Sequence, residues 1–234
     1  MIDFPKIINL GGKPKRLPMH VAVSTGSLKA WCEANKKEMP EAIAMHSEGI
    51  DELFNYQLKS QIRVMTINVQ DSSPEAMASL RDYFRKLCDD ERVNKNQVRI
   101  FVIGQWYELD PELSDLFKLA MEKTKLYDNF FLNFCINYDG REELLGATRL
   151  IVRKILAGKL AESDLTEQVI KENLYNSYFP PPELIVETGN SYAGTLLWDS
   201  KGSVVYFSEK SWPLLGRKDM DEAINFYDNS RGKA

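Results

Sequence analysis

Phe130-Phe131-Leu132-Asn133-Phe134-Cys135-Ile136-Asn137-Tyr138-Asp139-Gly140-Arg141-Glu142 decides how this chain is read. The stretch Phe130 to Ile136 is apolar and aromatic almost without a break, which predicts a strand covered on both faces. The polar run Asn137 to Glu142 follows at once and opens a strongly periodic helix. A polar cluster with a glycine at the carboxyl end of such a strand is where open α/β sheets place ligand sites.

Working outward, strand-like and helix-like segments alternate. His20–Ser24, Val64–Val69, Val98–Ile103, Leu184–Val186 and Val204–Phe207 are short, rich in β-branched residues, and end in turn signals. Ser73 before Pro74 is a helix start, with Met77, Leu80, Phe84, Leu87 and Cys88 on one face. Asp139 caps the next helix, with Glu142 placed as in a capping box. Its predicted buried face is Leu144, Leu145, Thr148, Ile151, Val152 and Ile155, and Gly158 stops it. Asp219 precedes a stripe of Met220, Ala223, Ile224 and Tyr227. Strands alternating with helices imply βαβ units and an open, mostly parallel α/β sheet of about six strands flanked by helices. One domain is expected over 20–228, after a lead-in at 1–19 and before a tail at 229–234.

Composition narrows the function. The chain has 234 residues, 44% hydrophobic and 27% charged, with a net charge of -4, so nothing suggests the basic face of a nucleic-acid binder. Lys13-Pro14-Lys15-Arg16 is too short and Pro-broken to be more than a solvated lead-in. Cys32, Cys88 and Cys135 are scattered and odd in number, which suggests neither a disulfide framework nor a zinc site and fits a reducing, cytoplasmic setting. No apolar run approaches membrane-spanning length, although peripheral membrane contact is compatible with the sequence.

Several landmarks resemble the cis-prenyltransferases, the undecaprenyl and dehydrodolichyl diphosphate synthases. Asn137 to Glu142 is similar to the family's N-Y-G-G-R-x-D/E, with Asp139 at the first glycine. His20-Val21-Ala22 followed by Trp31 is similar to H-V-A-x-x-x-D-G-N-x-R-W, and Met45-His46-Ser47-Glu48-Gly49 to G-H-x-x-G. Leu184 to Gly189 stands at D-L-x-I-R-T-S/G-G-E. Leu196-Leu197-Trp198, Tyr206-Phe207 and Trp212-Pro213 match L-L-W and Y-F-x-x-x-x-W-P. The resemblance runs from about His20 to the C-terminus and implies the fold of those synthases.

The departures fall on the chemistry. In that family the aspartate of the opening motif holds a magnesium ion bridging the allylic diphosphate. Here Gly26 stands in its place, Ala30 stands at the motif's arginine, and the nearby Thr25 and Ser27 bring only hydroxyls, whereas magnesium wants carboxylate oxygens. The family grips isopentenyl diphosphate with two arginines and a serine. Here Glu187 stands at the first arginine, the stretch to Trp198 is about two residues short, and no arginine lies between Arg153 and Arg217. The family's metal-binding glutamate maps to Val204, and its S-x-E-N-x-x-R loop is reduced to Gln70-Asp71-Ser72-Ser73-Pro74.

Retained fold markers with lost charged contacts resemble the non-catalytic subunits related to the Nogo-B receptor. The resemblance implies no catalytic residue and no bound metal in this chain, and a vestigial diphosphate site at Gly26, Ser27, Asn137, Arg141 and Glu187. It also implies a heterodimer with a catalytic cis-prenyltransferase that binds Mg2+ and makes polyprenyl diphosphate. In that group an R-x-G tail reaches the partner's site; Ser230, Arg231 and Gly232 stand there, with arginine and glycine adjacent. Plainer readings stand beside these. Asn137 and Arg141 also fit a turn and a helix-start charge, Glu142 and Glu143 ordinary first-turn acids, and His46 a satisfied histidine. Two other functions remain open: a divergent active homodimer using Thr25, Ser27, Lys29 and Arg141, and a prenyl-lipid-binding protein.

Overall fold

The computed structural model describes residues 16–231. Six strands form one sheet: β1 (His20–Ser24), β2 (Val64–Val69), β3 (Val98–Ile103), β4 (Phe130–Ile136), β5 (Leu184–Glu187) and β6 (Val204–Phe207). Their order is β3-β4-β2-β1-β5-β6, and every pair is parallel. The expected strands are all present, β5 running one residue further, to Glu187.

Side chains alternate across the sheet as the pleat requires. Val21, Val23, Leu132, Phe134, Leu184 and Val186 join a large core on one face. Helices α1 (Leu28–Asn35), α2 (Met39–Ser60), α3 (Pro74–Leu87), α4 (Glu91–Asn96), α5 (Pro111–Thr124) and α8 (Arg217–Arg231) contribute to that core. Ala22, Phe131, Cys135 and Ile185 look the other way, into a much smaller core with Phe179 and Leu196. The second face is where α6 (Gly140–Leu156) and α7 (Glu167–Glu172) lie. Two covered faces explain why the strands read as continuous apolar runs.

Helix starts follow the sequence closely. Ser73 Oγ accepts from Ala76 N at 3.2 Å, and Asp139 caps α6. The α3 stripe is buried from Met77 to Leu87, while Cys88 lies at the helix end and is half-buried. The stripe Met220, Ala223, Ile224 and Tyr227 is buried in α8, and Gly158 follows α6 with φ of 68°.

The predicted face of α6 is corrected. The buried residues are Gly140, Glu143, Ala147 and Ile151, whereas Leu145 and Val152 are 42% and 47% exposed and Thr148 is exposed. Small residues let the helix approach closely: a Cβ on Gly140 would sit 2.5 Å from Gly194 O. The helix therefore turns its bulky aliphatic side outward.

Chain direction fixes where a ligand could bind. From β1 the chain passes to β2 and that half of the sheet; from β5 it passes to β6 on the other side. Connections leaving neighbouring strands in opposite directions open a crevice at their carboxyl ends. Here that crevice lies between Ser24 and Glu187, which are paired in register.

Candidate functional site

Of the site residues named from sequence, Gly26, Ser27, Asn137, Arg141 and Glu187 lie at the carboxyl edge of the sheet, on or just after the ends of β1, β4 and β5. Gly26 follows β1, and a Cβ added there would lie 3.5 Å from Thr188 Oγ1 and 3.6 Å from Trp212 Cβ. Those are ordinary contacts, so the space for a larger side chain persists although the carboxylate does not.

Ser27 caps α1, its Oγ accepting from Ala30 N at 3.3 Å. The next free amide of that helix is already bonded: Leu28 N donates to Asp71 Oδ2 at 2.6 Å. Asp71 Oδ1 accepts from Ser73 N at 2.9 Å. Burial alone would raise this carboxyl's pKa, but bonds from Ser73 and Leu28 outweigh it and hold Asp71 below its ordinary value. A helix N-terminus attracts anions through its free amides and dipole, and here the chain supplies its own.

The same occurs at α6. Asp139 Oδ1 accepts from Arg141 N at 2.7 Å and Glu142 N at 3.2 Å. Where the resembling motif has a glycine with no side chain, this chain has a carboxylate spanning the helix start.

Glu187 is the third case. It is 2% exposed, and its Oε1 accepts from Ala193 N at 3.1 Å. Burial pushes its pKa up, partly countered by the Ala193 amide and the Ser24 hydroxyl. Around it, Gln70 Nε2 donates to Ser24 Oγ at 2.8 Å, Gln70 N to Thr25 Oγ1 at 3.2 Å, and Asn68 Nδ2 to Thr195 Oγ1 at 2.7 Å. The crevice is laced by the chain's own polar groups.

Asn137 takes the left-handed conformation, φ 47°, and its amide donates to Gln105 O at 3.1 Å. It helps line a pocket of about 210 Å³ with Gln70, Ser72, Gln105, Asp139 and Glu142. Two carboxylates and no cation line that pocket, a poor setting for a diphosphate. Arg141 points from an exposed position on α6.

A magnesium site needs hard anionic oxygens. Gly26 and Val204 carry none, and the carboxylates of Asp71 and Glu187 are engaged by backbone amides. Among the described residues no group of three or more His, Cys, Asp or Glu is placed to hold a metal. The donors present do not fit the ion.

Other expectations change. Glu143 is not a solvated first-turn acid: it is 1% exposed, accepting from Tyr138 OH at 2.7 Å and Tyr175 N at 2.9 Å. His46 is fully buried; its Nδ1 is 3.4 Å from Ser79 Oγ, and its Nε2 has no partner. Burial lowers its pKa to about 4. His20 begins β1 and locks it, Nε2 lying 2.8 Å from Thr66 Oγ1 and Nδ1 2.7 Å from Pro180 O. Asp71 stands in the sequence only as part of the shortened Gln70–Pro74 loop: its bond to Ser73 is a local turn signal, but nothing local points to Leu28.

In the tail, Ser230 Oγ bonds Phe226 O within α8. Arg231 donates to Gly202 O at 2.6 Å, just before β6, so it sits at the amino edge of its own sheet, away from the crevice. Gly232 lies outside the described residues.

A further cleft of about 600 Å³ opens between α2 and α3, lined by Glu48, Asp51, Asp82, Asp90 and Arg92 among others. Arg92 bridges Asp51 at 2.5 Å and Asp90 at 2.6 Å. Tyr83 and Leu87 add an apolar patch to the same walls. Among the described residues no helix is long and apolar enough to cross a membrane.

Comparison with known proteins agrees with this architecture. Residues 27–234 match the family model described as "Putative undecaprenyl diphosphate synthase". The geranylgeranyl-diphosphate-specific tritrans,polycis-undecaprenyl-diphosphate synthase of Thermoplasma acidophilum is 31% identical over 221 residues, 90% of this chain and 86% of that protein. The isoprenyl transferase of Thermotoga maritima is 30% identical, covering 91% of this chain and 94% of its own length. The crystal structure of lavandulyl diphosphate synthase from Lavandula x intermedia superposes with a TM-score of 0.81 at 23% identity, covering 90% of this chain and 95% of that one.

Proposed function

The chain belongs to the undecaprenyl diphosphate synthase family, and from that premise we propose that it is a non-catalytic subunit of a heteromeric cis-prenyltransferase. The observation that carries this reading is the threefold use of the chain's own carboxylates on backbone amides. Asp71 bonds the α1 start, Asp139 the α6 start and Glu187 the Ala193 amide.

A diphosphate entering the crevice meets negative charge at each of these places. Displacing the buried Asp71 would leave a carboxylate without its amides, costing about 1.5–3 kcal/mol per charged hydrogen bond, and displacing the exposed Asp139 cap would cost about 0.5–2 kcal/mol. A binding-competent arrangement is thus disfavoured twice, by repulsion and by the bonds already made. Magnesium and both diphosphate substrates are assigned to a catalytic partner with the complete motifs, and the product of the complex is a polyprenyl diphosphate. This chain supplies a rigid, paired fold. A contribution of Ser230, Arg231 and Gly232 to the partner's site requires Arg231 to release the Gly202 carbonyl.

The experiment is incorporation of labelled isopentenyl diphosphate into an allylic diphosphate primer. It compares this chain alone, the intact-motif prenyltransferase of the same genome alone, and both together. Stimulation of the partner by an inert chain supports the proposal; robust elongation by the lone chain ends it.

A second reading is a divergent active enzyme. It is favoured by the names of relatives about as long as this chain, all called synthases or transferases. In that case Arg141 and Lys29 would hold the diphosphate, and Arg141→Ala would abolish magnesium-dependent turnover by the lone protein.

A further inference from the structure

Helix α2 serves two places at once. It sets Gly49 against Trp212, which borders Gly26 at the crevice, and it gives Asp51, Glu52 and Asn55 to the cleft shared with α3. One part of that cleft is locked by the chain itself. Arg92 bridges Asp51 and Asp90 at 2.5 and 2.6 Å and donates to Asn55 Oδ1 at 2.7 Å. Asn55 Nδ2 donates in turn to Asp51 Oδ2 at 2.9 Å.

One buried group is left over. Tyr83 is 7% exposed and lines the cleft, and its hydroxyl has no hydrogen-bond partner. Its ring packs edge-on against Phe84 and Phe134 of the large core. The hydroxyl end is turned to the charged groups, and burial and Asp51 both raise its pKa. A buried hydroxyl without a partner calls for an explanation, and a neutral phenol oxygen can accept from a cation.

The charge around it is lopsided. Five carboxylates line the cleft against two cations, and Arg92, one of the two, is committed to Asp51 and Asp90. Glu48 and Glu52 are exposed and, among the described residues, form no ion pair. They lie one turn apart on α2, so their side chains are neighbours. Asp82 lines the cleft from α3.

We propose that the α2–α3 cleft binds an aliphatic polyamine, one ammonium group donating to the Tyr83 hydroxyl and another pairing with Glu48 and Glu52. Its methylene groups would lie on the Tyr83 ring and Leu87. The polarity of the walls rejects an anion. A single metal ion does not fit, because among the described residues no three His, Cys, Asp or Glu are placed to hold one. The volume of about 600 Å³ also exceeds one ion, whereas charges spaced along a hydrocarbon chain match carboxylates spread over two helices. The proposal holds whether or not the chain is catalytic.

The test is calorimetric titration of spermidine into the full chain, with melting curves beside it. The expected result is saturable one-to-one binding with a dissociation constant below about 1 mM, weakened by salt and accompanied by a higher Tm. Glu48→Gln with Glu52→Gln should weaken binding about 5-fold or more, and Lys86→Ala, which removes a like charge, should tighten it about 2–5-fold. Tyr83→Phe should weaken binding about 10-fold. The free Tyr83→Phe protein should melt no lower than wild type, because its hydroxyl has no bond to lose; a purely structural hydroxyl would give the reverse pattern.

Absence of saturable binding overturns the proposal. So does equal weakening by Glu162→Gln with Asp164→Asn, exposed acids outside the cleft, which would mean that spermidine follows net charge alone. Magnesium chloride that displaces spermidine at equal concentration would assign the cleft to a divalent cation instead. Farnesol binding without spermidine binding would assign it to an apolar chain.

Discussion

Replacing Asp71 tests whether this carboxylate holds the α1 start in place of a ligand. It is 8% exposed and accepts two backbone amides, Leu28 N at 2.6 Å and Ser73 N at 2.9 Å. Hydrogen bonds to a charged group contribute about 1.5–3 kcal/mol each, so Asp71→Asn, which keeps one acceptor oxygen, should cost about 2 kcal/mol. For a protein of this size that corresponds to a fall in Tm of roughly 4–8 °C. Asp71→Ala should cost more, because both amides lose their acceptor.

The pH dependence has a defined sign. The folded carboxyl lies below its ordinary value of 3.8, so its contribution is complete above that value and disappears as pH falls through the folded pKa. The gap between wild type and Asp71→Asn should therefore be constant at neutral pH and close only in strong acid. Urea unfolding followed by circular dichroism at several pH values measures it. A variant as stable as wild type at pH 7 would refute the idea that Asp71 secures α1.

Other consequences follow from the packing. Gly26→Asp should fold with a stability change of less than about 1 kcal/mol, since its Cβ finds ordinary contacts, and should not by itself create turnover because Glu187 remains; melting curves and the incorporation assay check both points. Gly49→Ala places a Cβ 2.9 Å from the Trp212 ring, so overpacking should cost about 1–3 kcal/mol, read from urea midpoints. His20 and His46 are both held neutral, with pKa values lowered by burial from 6.5 to about 4. Their contribution is complete above pH 6.5 and is lost as pH falls towards 4, so stability should drop across that window, and His46→Phe should flatten part of the slope.

The sheet was legible because β1, β2, β4 and β5 are covered on both faces, which leaves a short apolar run at each, and the half-covered β6 still reads as an apolar run. The β1 to β6 positions followed from those runs. The orientation of α6 did not, because that helix has apolar residues on two sides. Periodicity identifies a stripe but not which stripe meets the sheet, and Glu143 outcompetes Leu145 by satisfying Tyr138 and Tyr175. Gly26 and Glu187 were visible as departures, and their proximity to Thr188, Ser24 and Ala193 adds what those departures mean in space. The bond between Asp71 and Leu28 joins loops 43 residues apart, and no local pattern announces it. Arg231 was expected to serve a partner, but its bond to Gly202 depends on where α8 ends against β6.

The central claim is that the chain's own carboxylates hold the places a diphosphate would need. Titration calorimetry of geranylgeranyl diphosphate with Mg2+ into the isolated protein tests it most directly. The account predicts no saturable binding below about 1 mM. Saturable binding at a dissociation constant of about 1 μM or tighter, lost in Arg141→Ala, would contradict it.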